Sequence, residues 1–575
     1  MLDLILKNCT IIDGTGAPRY EADIAVEGDS IEEIGRLDHA VSKEEIDAHG
    51  LTVAPGFIDV HSHADFSLPL EDHDEVLSPL AMQGITTFVG GNCGFSTGTV
   101  PAARRREIMD NLESLSGRKL DEISWSTPSE FMSFMERRGM LLNVGLLAGH
   151  GTLRIGASGL VTRLLTGDEQ ACLERLLDEA MEAGCLGMST GLQYFPGVQS
   201  DTVELAGCGK VLKKYGGIFT SHLRSYAHTL NLAMDEVIEV GRSCGIPVQI
   251  SHLYWQPYMK GFTSITKAFI SVASYLYNRI GIPVPMEKGL AGKLKILDNA
   301  RARGVDVHFD MVPTSQGFTE LAAFLPPYLL EGSLSDSLTR LADPSFRKRM
   351  LHDIEHVEPE WPHRDGATWS FNYLKMTGWN GLRVMAVGSE ANRWMEGKTF
   401  PEIGRERKKH PLDVICDLLI EEEGKVMVFH TPTFPDDPLV FRSMWAGFIH
   451  EMSMPVTDTI LRPMGRPSHV FFDCFPRFLS EFVMRKKLLT MEEAVRKCTS
   501  LPAEVFGIRR RGVVKKGYFA DLVAFDAERL RTRANFNEPR VHPDGIYHVF
   551  VNGRAVVSNG QFRKGTLAGK MIRKK

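Results

Sequence analysis

Six residues with side chains of the types that bind zinc each stand near the end of a short apolar run. They are four histidines, a cysteine and an aspartate: His61, His63, Cys93, His222, His252 and Asp458. His61 and His63 stand two apart in a strand-like run, so both side chains point to one face and can hold one ion. Imidazole, thiolate and carboxylate together suit zinc. Because such an ion acidifies a coordinated water and polarises a carbonyl, the set indicates hydrolysis.

The middle of the chain alternates short apolar runs with helical patterns, which is typical of βα units around a parallel sheet. Besides the runs near the candidate ligands, further runs end at His150, Ser189, Asp310 and His430. These runs make nine candidate strands, whereas a (β/α)8 TIM-like barrel has eight, and residues 307–310 and 426–430 compete as the seventh. In such barrels the active site lies at the carboxyl ends of the strands. Several ligand-type residues at these ends therefore indicate one shared site.

The two ends of the chain differ from its middle. Short strands separated by turns fill residues 1–54, and the tail from 507 to 575 has the same pattern. We expect both ends to form one small β-sandwich domain beside a barrel of residues 55–506. Two segments, near 262–289 and 315–425, are longer than the connections that a plain barrel needs. Their position in loops would place them over the catalytic face. The first is either a lid or an extra packed helix.

Composition narrows the class of protein. The 575 residues include 66 Lys and Arg against 72 Asp and Glu, a net charge of −6, and 43% are hydrophobic. This is a globular composition, and the interspersed charges indicate neither a nucleic-acid nor a membrane partner. Nine scattered cysteines fit a reducing compartment. The N-terminus lacks signal-peptide features, and no apolar run reaches the ~18 residues of a spanning helix. We expect a cytoplasmic enzyme with a small-molecule substrate.

Longer motifs carry a family resemblance that runs along almost the whole chain. They include Pro55-Gly-Phe-Ile-Asp-Val-His-Ser-His63, Gly91-Asn-Cys-Gly94 and Gly149-His-Gly-Thr-Leu-Arg154. The first resembles the amidohydrolase superfamily, and the other two resemble the narrower N-acyl-D-amino-acid deacylase (D-aminoacylase) family. The resemblance implies a metal-dependent hydrolase of a non-peptide carbon–nitrogen bond, with a small-molecule amide as substrate.

The resemblance also implies roles for the candidate residues. Cys93, His222 and His252 would hold one zinc tightly, and His61 and His63 would form a second, weaker position that shares Cys93. Asp458 matches the catalytic carboxylate, which accepts the proton of the attacking water and then protonates the leaving nitrogen. Tyr194 matches a tyrosine that polarises the scissile carbonyl.

Four positions depart from the family where it binds the free carboxylate of its substrate. The family's lysine, tyrosine, serine and arginine are replaced, respectively, by Tyr254, Val312, Phe318 and Val470. None of these side chains can supply a charge to a carboxylate, and a desolvated carboxylate without a cation costs several kcal/mol. We therefore expect an uncharged, apolar amide as substrate.

Three other readings stay open at this point. Arg224, Lys260 or Arg462 could supply a replacement cation, which would make the chain an authentic N-acyl-D-amino-acid deacylase. A hydantoinase-like cyclic amide hydrolase would open a ring instead of releasing an amine. A metal-binding protein without catalysis is the third reading, although such a protein needs neither Asp458 nor Tyr194.

Overall fold

Eight parallel strands form the central sheet in a computed structural model of the protein, which describes residues 1–121, 123–358, 369–462 and 464–574. The strands neighbour one another in chain order. The first and last meet just beyond their ends, where Asp458 N donates to His61 O and His63 N donates to Thr459 O, both at 2.9 Å. The predicted (β/α)8 barrel is therefore confirmed. Its strands are Phe57–Asp59, Ile85–Gly90, Asn143–Gly149, Gly187–Gly191, Ile218–His222, Val248–Ile250, Val307–Met311 and Ser453–Pro455.

The structure decides between the two candidates for the seventh strand. Val307–Met311 pairs with Val248–Ile250 on one side and with Ser453–Pro455 on the other, parallel to both. Met427–His430 instead pairs antiparallel with Gly317–Glu320 and Leu382–Ala386 in a separate three-stranded sheet. Both runs are short and apolar, so only pairing with distant parts of the chain distinguishes them.

Helices connect the barrel strands and cover the outside of the sheet. Their starts carry the expected caps, for example Thr127 with Glu130 and Thr166 with Glu169, each pair forming a reciprocal capping box. The helices of the barrel layer are His73–Ala81, Arg105–Ser116, Pro128–Arg138, His150–Ser158, Gly167–Ala183, Thr202–Tyr215, Leu230–Cys244, Ala291–Ala302, Val470–Leu479, Met491–Cys498 and Ser500–Phe506.

Both ends of the chain contribute to a nine-stranded sheet, which confirms the expected β domain. Leu2–Ile11 pairs antiparallel with Tyr20–Glu27, and its other edge pairs parallel with two later strands in succession. Thr52–Pro55 then pairs with Leu522–Phe525, which joins the tail to the N-terminal strands. The limits at residues 54 and 506 stay a prediction. The other strands are Ser30–Gly35, Ser42–Asp47, Ile546–Val551, Arg554–Ser558 and Gln561–Phe562.

Two segments extend beyond the barrel. The first contains the helix Thr263–Tyr275, which continues through Leu276–Ile280. The second contains the three-stranded sheet and further helices around a core of their own; residues 359–368 of this predicted insertion lie outside the described residues. Among the helices that are described, none is both long and apolar enough to cross a membrane. The helices of the second segment and its end are Leu334–Ala342, Pro344–His356, Tyr373–Thr377, Phe400–Arg407, Pro411–Glu421, Pro438–Ser443 and Trp445–Phe448.

Candidate metal centre and active-site cavity

The six predicted ligands converge at the carboxyl ends of the barrel strands. They stand at or just beyond the ends of the first, second, fifth, sixth and eighth strands, and all are largely buried. Their ligand atoms fall into two groups, within each of which all atoms lie within 4.8 Å of one another. One group is His61, His63, Cys93 and Asp458, and the other is Cys93, His222 and His252.

Cys93 belongs to both groups. Its Sγ lies 3.2 Å from His61 Nε2, 3.5 Å from His252 Nε2 and 3.8 Å from His222 Nδ1. His222 Nδ1 and His252 Nε2 are themselves 2.9 Å apart. This central place is the one that the family resemblance assigns to a bridging thiolate.

Asp458 faces the other two histidines. Its Oδ1 lies 3.4 Å from both His61 Nε2 and His63 Nε2. The Asp458 side chain keeps 15% of its surface exposed, whereas those of His61 and His63 keep at most 3%. The carboxylate therefore stands between the buried histidines and the cavity described below.

The backbone at the centre is held in an unusual conformation. Cys93, His252 and Asp458 have φ values of 52°, 33° and 51°, in the left-handed region that non-glycine residues rarely adopt. Gly91, with φ of 78°, approaches the next strand so closely that a Cβ there would lie 2.1 Å from Leu147 O. The turn that leads to Cys93 thus requires glycine at position 91. Such strain is typical of functional sites, where the surrounding structure enforces it.

Asp310 orients the ligands from behind. Its Oδ2 lies 3.2 Å from His61 Nδ1 and also accepts a hydrogen bond from Gln249 Nε2. Its Oδ1 accepts a hydrogen bond from the backbone N–H of His252. A carboxylate behind a metal-binding histidine fixes the tautomer and the direction of the ring. The sequence marked Asp310 only as the end of a strand.

Cys93 and His222 are held in the deprotonated states that zinc binds. Burial raises the pKa of the Cys93 thiol, but His61, His222 and His252 outweigh that effect and hold the pKa well below its usual value. Burial, followed by the charge of His252, lowers the pKa of His222 to about 4. A thiolate beside a neutral imidazole is what a zinc site requires, because zinc binds the deprotonated forms of both groups.

Tyr194 lies beside this cluster, with its ring centroid 4.5 Å from that of His222. Its hydroxyl accepts a hydrogen bond from Thr319 Oγ1 at 3.2 Å. Burial, reinforced by the negative charge of Cys93, holds the pKa of Tyr194 well above its usual value. The hydroxyl therefore keeps its proton and can donate a hydrogen bond to a carbonyl oxygen.

A cavity opens next to the cluster. Tyr194, His222, His252 and Asp458 form one side, and a mainly neutral wall forms the rest. The predicted pocket residues Tyr254, Val312 and Phe318 line it. The rest of the lining consists of Gln193, Trp255, Gln256, Thr314, Ser315, Gln316, Gly317, Thr319, Phe324, His430, Pro432, Val440, Ser443 and Met444.

Val470 is the predicted pocket residue that the structure does not bring to the cavity. It is fully buried at the start of the helix Val470–Leu479 and is absent from the described lining. Its neighbour His469 has Nε2 3.5 Å from Thr314 Oγ1, and Thr314 does line the cavity. Val470 thus lies one layer behind the wall.

No lysine or arginine lines the cavity within the described part of the chain. Arg224 is buried in an ion pair with Glu236, whose Oε2 lies 2.8 Å from its Nε. Arg462 donates to the backbone oxygens of Ser114 and Leu115, and Lys260 stands on the surface. None of the three candidate replacement cations contributes to the lining.

His430 is the main functional candidate that sequence reasoning missed. It ends a strand of the three-stranded sheet and faces the aromatic rings of Tyr254, Phe324 and Tyr373, with centroids 5.1–6.5 Å away. Burial, followed by the charges of His222 and His252, lowers its pKa to about 3. The ring is therefore neutral and can donate one hydrogen bond and accept another. In the sequence His430 appeared only as the end of a competing barrel strand.

Comparison with known proteins shows the family to which the chain belongs. A sequence model of the Amidohydrolase family matches residues 44–207 and 457–557. An N-acyl-D-glutamate deacylase of Alcaligenes xylosoxydans xylosoxydans is 30% identical over 96% of this chain and 93% of its own length. The chain belongs to the amidohydrolase family, among the N-acyl-D-amino-acid deacylases. As a member of that family it is a metal-dependent hydrolase of carbon–nitrogen bonds other than peptide bonds.

Other deacylases share both sequence and fold with this family member. A D-aminoacylase of the same organism is 28% identical over 99% of this chain and 97% of its own length. A crystal structure of N-acyl-D-glutamate deacylase from Bordetella bronchiseptica, complexed with zinc and a phosphonate mimic of the tetrahedral intermediate, matches with a TM-score of 0.74. That match covers 100% of this chain and 99% of the other, at 27% identity.

Proposed function

We propose that this member of the deacylase family hydrolyses an uncharged, apolar amide with the help of zinc. The observation that carries the proposal is the neutral cavity beside the candidate metal centre. Its described lining holds no lysine or arginine, and Tyr254, Val312 and Phe318 stand where the family's carboxylate-binding side chains are expected. Asp458 is the one carboxylate of that lining, and it would repel an anionic substrate.

The residues fit zinc in the positions that the sequence suggested. Cys93, His222 and His252 would hold one ion tightly, since their three ligand atoms already lie together. His61 and His63, with Cys93 and Asp458, would form the weaker second position. A bound zinc would supply Lewis-acid polarisation of the amide carbonyl and a lowered pKa for a coordinated water. Zinc in the related Bordetella deacylase supports this choice of metal.

The chain's own side chains would handle the protons. Asp458 lies at the border between the cluster and the cavity, so its carboxylate can accept a proton from the attacking water. It would then deliver that proton to the leaving nitrogen. Tyr194, protonated and on the same side of the cavity, would donate a hydrogen bond to the carbonyl oxygen as negative charge develops there.

Desolvation sets the direction of the substrate preference. A carboxylate that enters this cavity leaves water without meeting a cation, and each missing charge-assisted hydrogen bond is worth about 1.5–3 kcal/mol. An amide or ester in the same place avoids that cost and can use the neutral donors and acceptors of Gln256, Thr314 and His430. We therefore expect a preference of more than about tenfold in kcat/KM for the neutral compound.

The test compares kcat/KM for an N-acetyl-D-amino acid with that for its carboxamide and methyl ester, with zinc quantified in parallel. Tyr254→Lys returns a cation two residues after His252, so we expect it to shift the ratio toward the free acid. Tyr254→Phe is the matched control, because it changes the same ring without adding charge. A wild-type preference for the free carboxylate would show that the protein is an ordinary N-acyl-D-amino-acid deacylase.

A further inference from the structure

The helix Thr263–Tyr275 and its continuation present large apolar side chains to the outside. Their relative exposure is between 47% and 61%, and their spacing of three to five residues places them along one side of the helix and its ends. We call this row the outer stripe; it consists of Phe262, Ile265, Phe269, Val272, Tyr275 and Ile280.

The inner side of the same helix is more polar than the outer stripe. Thr266 and Ser274 are buried there, and the Ser274 hydroxyl donates to Asp437 Oδ2 at 2.7 Å. Ile270 and Ala273 complete the inner side and pack in a small cluster with Leu439. An amphipathic helix of a globular protein normally turns its apolar side to the core. Here the larger apolar side faces outward, which marks an interaction surface.

The chain segment that carries the outer stripe has only positive charges. Between Glu239 and Glu287 the sequence contains no Asp or Glu, whereas Lys260, Lys267 and Arg279 lie in or beside the helix. The whole chain carries a net charge of −6. This segment is therefore cationic on a molecule that is acidic as a whole. Among the described carboxylates near the helix, Asp437 accepts a hydrogen bond from Ser274, and Glu358 accepts one from Tyr258 and pairs with Lys375.

The outer stripe lies close to the active-site cavity. The helix Pro438–Ser443 separates the two: its Leu439 packs against Ile270, whereas Val440 and Ser443 line the cavity. The chain that leads into the stripe helix also lines the cavity, through Tyr254, Trp255 and Gln256. A surface bound to the outer stripe would therefore lie near the catalytic face.

We propose that the outer stripe docks the protein on an anionic lipid surface. Helices that lie in a membrane interface combine Phe and aliphatic side chains on one side with Lys and Arg around them, and bind through both apolar burial and attraction to anionic headgroups. The charge of the whole chain predicted no membrane partner. That overall value does not reflect the local excess of positive charge in this segment. A second copy that used the same surface would bring Lys260 and Arg279 against their own equivalents, so charge disfavours that occupant. The inference holds whichever amide the enzyme hydrolyses.

The experiment is co-sedimentation of the full-length, zinc-loaded protein with phosphatidylcholine vesicles, with and without phosphatidylglycerol. We expect binding to the anionic vesicles that weakens as salt rises, because the cations contribute. The double variant Phe262→Ser/Phe269→Ser should lose about tenfold or more in vesicle partitioning. Lys260→Glu/Arg279→Glu should lose the preference for anionic over neutral vesicles.

The matched control is Leu164→Ser/Val203→Ser, which removes two exposed apolar side chains outside the stripe and should leave partitioning unchanged. Zinc content and turnover of a water-soluble amide report whether each variant is folded. Failure of the wild type to bind either vesicle would overturn the proposal, as would equal partitioning of the stripe variant. A wild-type dimer that the stripe variant turns into a monomer, without vesicle binding, would assign the stripe to a second copy.

Discussion

Cys93 and Asp458 differ in what their side chains contact. We therefore expect their substitution to affect metal binding and turnover differently. Cys93 Sγ lies against three histidines of both ligand groups, so Cys93→Ala removes the ligand common to both. We expect metal and activity to disappear together. Asp458→Asn leaves the Cys93–His222–His252 group intact, but the amide cannot accept a proton at neutral pH. Turnover should fall by about 10²–10⁴-fold with the tight zinc retained.

Elemental analysis and kcat, measured on the same preparations, separate the two effects. His61→Ala is the control for metal loss, because His61 is a member of the weaker group alone and its loss should spare the tightly bound ion. Full zinc in Cys93→Ala would contradict the ligand assignment. An Asp458→Asn enzyme that keeps most of its kcat would show that another group accepts the proton.

At the residue scale, the sequence predicted the candidate ligands that belong to short local motifs. His61 and His63 come from one strand end, and Cys93 from a run whose glycine permits a tight approach to Leu147. His430 was missed because it reaches the cavity from the inserted sheet, and no short motif encodes that contact. Val470 was assigned to the cavity from its place in a family pattern, which does not reveal that its side chain is fully buried outside the described lining.

Among the elements, the helix Met491–Cys498 holds the last barrel strand through a buried lysine. Lys497 Nζ donates to Ser453 O and Ser453 Oγ at 3.2 and 3.1 Å, and also to His450 O. Burial lowers the pKa of Lys497 from 10.5 to about 8. The unfolded chain therefore binds this proton more tightly than the folded protein between pH 8 and 10.5, and stability should rise with pH across that window.

The Lys497 prediction is tested by denaturant unfolding of wild type and Lys497→Met at several pH values. Relative to the variant, the wild type should gain on the order of 3 kcal/mol between pH 8 and 10.5, with little change below pH 7. Lys516→Met, which removes a side chain that is 68% exposed, controls for the loss of one positive charge. A difference between wild type and Lys497→Met that stays flat over this range would contradict the expected titration.

Element types were easier to predict than element partners. The helix Gly167–Ala183 follows from its capping box and its apolar period. The runs at 307–310 and 426–430 look alike in sequence, since both are short and end in a polar residue. Their strand partners distinguish them. The first run follows the helix Ala291–Ala302 and pairs within the barrel, whereas the second pairs with Gly317–Glu320 and Leu382–Ala386.

For the whole molecule, the candidate metal centre joins strands that are far apart in the chain. The ligands come from five of the eight barrel strands, and Asp458 lies almost 400 residues after His61 and His63. An ion that binds only the folded protein stabilises it by RT ln(1 + [L]/Kd), about 2.7 kcal/mol at a free concentration of 100 times Kd. Without the ion, the imidazoles, thiolate and carboxylate lose the partner that they would share at the centre of these strands.

We therefore expect chelation to lower the thermal midpoint and zinc to restore it in a concentration-dependent way. Calorimetry across a zinc titration measures this linkage, and Cys93→Ala is the matched control because its midpoint should depend little on zinc. Asp458→Asn should still respond to zinc, since its tight group is intact, which separates metal binding from catalysis in one experiment. Equal midpoints for the chelated and zinc-loaded wild type would mean that the ion does not hold the strands together. The barrel would then be stable through its apolar core alone, and the cluster would serve only chemistry.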